Sequence, residues 1–192
     1  MILYTLALLI IVVSIVLWRV AKQGGWNKIA PPSLSFALFP IIGLGAQFIA
    51  LRWASGTERM ILFTLSYGLV FWFVIANWKQ KPLRVLAAGF WLNLIAILSG
   101  GGYMPITPEA MTVLRPETSA TQWISGLTRI GSKDIVLKTS ESPFWFLGDV
   151  FVLGQPIHLA TAFSLGDLLI LLGFGCMIYS ALSPQRVLHE PT

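Results

Sequence analysis

The sequence predicts an all-α integral membrane protein with about five transmembrane helices, a re-entrant or interfacial segment and a mixed extracytoplasmic loop. Three observations carry this expectation. Apolar runs of near-spanning length recur along the chain. Of the 192 residues, 56% are hydrophobic and only 11% charged, where soluble domains carry about a quarter charged. The net charge of +5 comes from basic residues clustered between the apolar runs, the pattern of membrane topology rather than of a nucleic-acid patch.

The length fits one membrane domain, residues 1–192, with spans near 1–18, 34–51, 60–78, 83–99 and 159–182 and an outer loop over 100–158. The first run, "MILYTLALLIIVVSIVLW", has no basic residue before its apolar core and no small-x-small site after it, so it reads as an uncleaved span. "APPS" then breaks the chain, because two prolines cannot continue a helix. The second run ends at "RWASGTER", where Ser55 and Glu58 have capping-box spacing for the third helix. The third run ends at the basic "NWKQKPLR". The fourth is slightly short, and Leu83 with the stem of Arg84 extends it.

Residues 100–141 are polar, turn-rich and balanced in charge. In "ITPEAM", Thr107 is the expected N-cap and Pro108 the first residue of a short helix. "GSKDIVLKT" reads as a turn and a short strand with Ile135 and Leu137 on one face. "SPFWFLGDVFVLG" is apolar but too short to span, so a re-entrant or interfacial role is expected, with Phe144, Trp145 and Phe146 at headgroup level. Arg19, Lys22, Lys28, Lys79, Lys81, Arg84 and Arg186 fall on one side of a five-span arrangement. Excess Lys and Arg marks the cytoplasmic face. The expectation is therefore a multi-pass protein of the cell membrane, with its N-terminus outside and its C-terminus cytoplasmic.

Asp149 and Asp167 stand in otherwise apolar sequence, where an ionised acid costs about 2.5–3.5 kcal/mol at bilayer centre and less near the interface. Two readings remain open. As caps, Ser164 precedes Asp167 by three residues at a helix start, and Asp149 caps a short helix of its own. As a carboxylate dyad, the two acids would split their pKa values and activate water as general acid and base.

"GGGYMPITPEA", "FLGDVF" and "FSLGDLLILLG" resemble motifs of a family of small multi-span bacterial membrane proteins known only as a domain of unknown function. That resemblance covers roughly residues 93–173 and implies a membrane fold with no assigned activity. A weaker resemblance is to lipoprotein signal peptidase (signal peptidase II). It implies a catalytic aspartate on an outer segment, a phenylalanine, and a second aspartate opening the last helix; Asp149, Phe163 and Asp167 match that order. The chain departs from this family by lacking the Gly-Asn…Asp-Arg element upstream of Asp149 and the glycine-alanine-rich asparagine motif, and by having an extra span.

Gly100, Gly101 and Gly102, followed by Tyr103, form either a sharp turn or a ligand cradle of backbone amides. Asn93, two turns earlier, either packs against another helix or faces the same outer cavity as the acids and Ser164. His158 reads as an interfacial hydrogen-bonded histidine, and Cys176 as a small buried or lipid-facing residue. "GLTRIGSK" has the wrong order for a phosphate loop. Trp18, Trp26, Trp53, Trp78 and Trp145 sit at run ends, as an aromatic belt. No metal, cofactor or nucleic acid is expected. The expected partners are membrane lipids and a membrane-protein partner or oligomer. Three functions follow: a non-catalytic subunit or scaffold of a membrane complex; an aspartyl hydrolase using Asp149 and Asp167, with Asn93, Gly100, Gly101, Gly102, Tyr103 and Ser164 lining its cleft; or a small transporter or channel.

Overall fold

A computed structural model describes residue 19 and residues 34–54, 56–128, 132–153 and 160–182. The first expected span, the Ser55 cap and His158 lie outside the described residues. The described chain is mostly helical: α1 (Leu38–Trp53), α2 (Gly56–Ala76), α3 (Lys81–Ser99), the short α4 (Pro108–Leu114) and α5 (Leu165–Leu182). Four three-residue strands accompany them: β1 (Met104–Ile106), β2 (Asp134–Val136), β3 (Phe151–Leu153) and β4 (Thr161–Phe163).

Two of these helices are long and apolar enough to cross a membrane, over Thr57–Ala76 and Lys81–Ser99. The apolar helices Leu38–Trp53 and Leu165–Met177 are shorter. Proline at the start of α3 costs nothing, because the first turn leaves its N–H groups unpaired anyway. The last helix begins at Leu165 rather than at residue 159, because Thr161–Phe163 extends to pair antiparallel with Phe151–Leu153. The expected re-entrant segment becomes a 3₁₀ turn over Trp145–Leu147 followed by β3, so no crossing helix forms over residues 142–153. Phe144, Trp145 and Phe146 remain exposed.

The helices pack as two antiparallel pairs. In the α1–α2 pair, Gly43 lies against the Ser66 carbonyl, and Gln47 Nε2 donates to the buried Ser66 hydroxyl at 2.8 Å. Asn77 ties the far end of α2 to the chain entering α1. Its Nδ2 donates to the Ser35 carbonyl at 2.8 Å, and its Oδ1 accepts from the Ser35 N–H at 2.9 Å. In the α3–α5 pair the backbones touch. A Cβ on Gly89 would run into Gly166 and Ile170, one on Gly166 into Asn93 and Gly89, and one on Gly173 into Leu86. Small residues that let helix backbones approach are the usual adhesive between apolar helices in lipid.

The segment between α3 and α5 forms a cap over one end of the bundle. β1 pairs parallel with β2, matching Met104 with Asp134 and Ile106 with Val136. Ile106, Ala110, Met111, Val136 and Ala162 form its core. The buried residue of β2 is thus Val136, not the flanking Ile135 and Leu137, because that face meets α4. Thr107 caps α4 as expected, its hydroxyl accepting from the Ala110 N–H at 3.2 Å. A second cluster, Ala96, Ile97, Met104 and Leu147, joins the cap to the end of α3.

Candidate functional site

The glycine triplet closes α3. The Gly102 N–H donates to the Ile97 carbonyl at 2.9 Å and the Gly101 N–H to that of Leu98 at 3.3 Å. Gly101 has φ +67° and Gly102 φ +95°. This is the Schellman arrangement, in which a left-handed residue lets the chain satisfy the last helix carbonyls. Gly100 also donates inward, to Ala96 at 3.0 Å. All three amides serve the helix end, so the triplet is a turn and not a cradle of free donors. Tyr103 receives the Arg59 guanidinium over its ring at 5.6 Å.

Asp167 occupies the capping box that its spacing predicts. The Ser164 N–H donates to Asp167 Oδ2 at 3.1 Å, and the Asp167 N–H to Ser164 Oγ at 3.1 Å. Asn93 completes the network from the neighbouring helix. Its Nδ2 donates to Asp167 Oδ1 at 2.9 Å, and its Oδ1 accepts from the Ser164 hydroxyl at 2.7 Å. Both Asn93 and Ser164 are buried. The structure therefore brings Asn93, Ser164 and Asp167 together and satisfies every oxygen of the Asp167 carboxylate.

Asp149 is not a cap. It follows the 3₁₀ turn, its N–H donates to the Pro105 carbonyl at 2.9 Å, and its side chain is 0% exposed. Gly148 permits this approach, because a Cβ there would strike the Pro105 carbonyl. β1 is thus held on one edge by β2 and on the other by Asp149. That register brings Lys133 and Asp134, at the start of β2, against Asp149. Lys133 Nζ lies 3.8 Å from Asp149 Oδ2, and Asp134 is near enough for its carboxyl to act on that of Asp149. No hydrogen-bond donor reaches either Asp149 oxygen or Asp134 Oδ1, so the Asp149 carboxylate would stand buried without the hydrogen bonds that favour its charged form.

Burial pushes the Asp149 carboxyl well above the usual carboxylate range; Lys133 opposes this, while the Asp134 and Asp167 charges reinforce it. Burial would lower the Lys133 ammonium, but the field of Asp149, Asp167 and Asp134 outweighs it and holds the group above the ordinary lysine value. Asp149 and Asp167 thus share one cation but not one hydrogen bond. The acid facing Asp149 is Asp134, which sequence spacing does not single out. The available signal was the "SKD" triplet ahead of a strand, whose meaning depends on the parallel pairing with Met104–Ile106. Among the described residues, no group of three or more His, Cys, Asp or Glu could hold a metal ion.

No curated protein and no solved structure matches the chain. One family model does match, over residues 26–179, described as a family of unknown function (DUF5317). The match covers most of the sequence, extends beyond the motif-bearing stretch at both ends and takes in both helix pairs and the cap, so the chain belongs to the DUF5317 family.

Proposed function

We propose that this chain is a non-catalytic membrane scaffold or subunit, whose helices lie in the bilayer of the cell membrane and whose cap faces outward. The observation that carries the reading is the state of the two acids. Asp149 is sealed from solvent, and Asp167 is consumed by capping. A general base has to reach the water it activates, and neither carboxylate is free to do so.

The membrane placement rests on the helix surfaces. Leu38, Ile41, Ile61, Leu65, Trp72 and Leu98 are all more than half exposed. Only 28% and 39% of the apolar stretches of α2 and α3 are buried. Soluble proteins rarely leave contiguous apolar surface on this scale. Lys79, Lys81 and Arg84 lie at the end away from the cap, the distribution expected of a cytoplasmic face.

The signal-peptidase-like hydrolase has one supporting observation, the raised carboxyl of Asp149 facing Asp134. Its lack of any opening weighs against that reading. A transporter would need a polar path, and the described helices carry no charged residue over 60–76, 85–99 or 168–182.

The deciding experiment compares wild type with Asp149→Asn in membranes. A scaffold retains its co-purifying membrane partner in mild detergent and shows no lipoprotein-precursor cleavage in either form. Cleavage by wild type that Asp149→Asn abolishes at unchanged expression would replace the scaffold reading with the hydrolase.

A further inference from the structure

The two helix pairs meet along a cleft of about 510 Å³ between α2 and α3. Met60, Tyr67, Phe71, Trp91 and Leu98 are among its lining residues, with Gly101 and Gly102 at the capped end. On α2 the lining runs from Met60 to Val74, about 21 Å at 1.5 Å per residue. The residues along it are largely apolar, so one hydrocarbon chain lying there can make carbon–carbon contacts of about 3.5–4.0 Å along its length. The length exceeds one bilayer leaflet, about 15 Å, so the cleft is long enough for a whole acyl chain.

The capped end carries a charge. Arg59 precedes Met60, and its guanidinium lies over Tyr103, the residue after Gly102. Its Nε donates to the Ala54 carbonyl at 3.2 Å. Among the described residues, no carboxylate forms an ion pair with it. Gly101 and Gly102 line that end of the cleft without side chains. We propose that this cleft is a binding site for one anionic phospholipid, with an acyl chain between α2 and α3 and its phosphate on Arg59. Apolar walls alone would take any lipid; the unpaired arginine at the headgroup end selects the negative one.

The inference rests on the membrane placement proposed above, and the test separates the two. The chain is purified from vesicles of mixed phosphatidylglycerol and phosphatidylcholine, and retained lipid is counted by native mass spectrometry. Wild type is expected to retain one phosphatidylglycerol. Gly68→Phe should remove it, because Gly68 lines the cleft and a Cβ there meets no atom within 4 Å, so the ring fills the cleft without displacing the helix. Arg59→Gln should keep a lipid but lose about tenfold in preference for the anionic headgroup, the size of one charge-assisted hydrogen bond. Retention unchanged in Gly68→Phe, or headgroup preference unchanged in Arg59→Gln, overturns the site. So does a lipid-free wild type whose cleft positions cross-link to its own N-terminal run or to a second copy. An alkaline carbonate wash of the same membranes gives the separate reading. A chain that leaves the membrane fraction refutes the membrane placement, whereas one that stays but holds no lipid refutes only the lipid site.

Discussion

Asp149 holds its proton in the folded protein over a pH range where the unfolded chain has released it, since burial raises it above its ordinary 3.8. A raised folded-state value contributes stability that is complete below the unfolded value and disappears as pH rises through the folded one. The cap should therefore be best protected in mild acid and lose protection as pH climbs past the usual carboxylate range. Hydrogen exchange at the Met104 and Leu137 amides, which close the β1–β2 pair, reads this directly. Asp149→Asn should flatten the slope, and an unchanged slope would mean that another group carries it. Lys133 does not confuse the window, because its contribution is complete below the ordinary lysine value of 10.5 and changes with pH only above it. Lys133→Met should cost about 1–3 kcal/mol by leaving buried carboxyls without their cation. Adding Asp149→Asn should recover part of that loss, as a double-mutant cycle would register. Ser164→Ala removes the N-cap hydroxyl of α5 and its bond to Asn93. A loss of about 1 kcal/mol in thermal unfolding is expected.

At the scale of elements, α3 and α5 depend on glycines more than on side-chain interlock. Gly89→Ala places a methyl against the backbone of Gly166 and Ile170. Overpacking of this kind costs about 1–3 kcal/mol, so the unfolding temperature in detergent should fall. Gly45→Ala on α1 meets nothing and should be neutral or stabilising by up to about 1 kcal/mol through helix propensity. Equal effects at the two positions would contradict the backbone contact. The four long helices were legible because apolar runs and basic punctuation report them directly. Their ends were less so: residues 159–163 are as apolar as a helix start, and only pairing with β3 makes Thr161–Phe163 a strand. The 3₁₀ turn and β3 were hidden for the same reason, since a short apolar run has no period that distinguishes its options.

Across the whole molecule, the antiparallel helices place the cap and Arg59 at one end and Lys79, Lys81 and Arg84 at the other. With Cys176 replaced by serine, Glu117→Cys should react with an impermeant thiol reagent on intact cells, and Lys79→Cys only after permeabilisation. The reverse pattern would invert the proposed orientation. The lipid cleft belongs to this scale too, because it exists only where the α1–α2 pair meets the α3–α5 pair.

The sequence by itself determined the helical class, the Thr107 and Ser164 caps, and the glycine stop after α3. These are local: each depends on residues within one turn of helix, so spacing alone specifies them. Tertiary structure alone decided the fate of the acids. Asp149 meets Lys133 and Asp134 because two short strands pair in one register, and Asp167 meets Asn93 because glycines let two helices touch. Contacts between residues far apart in the chain follow from packing of backbones, and no periodicity in the sequence records which partner a buried carboxyl will find.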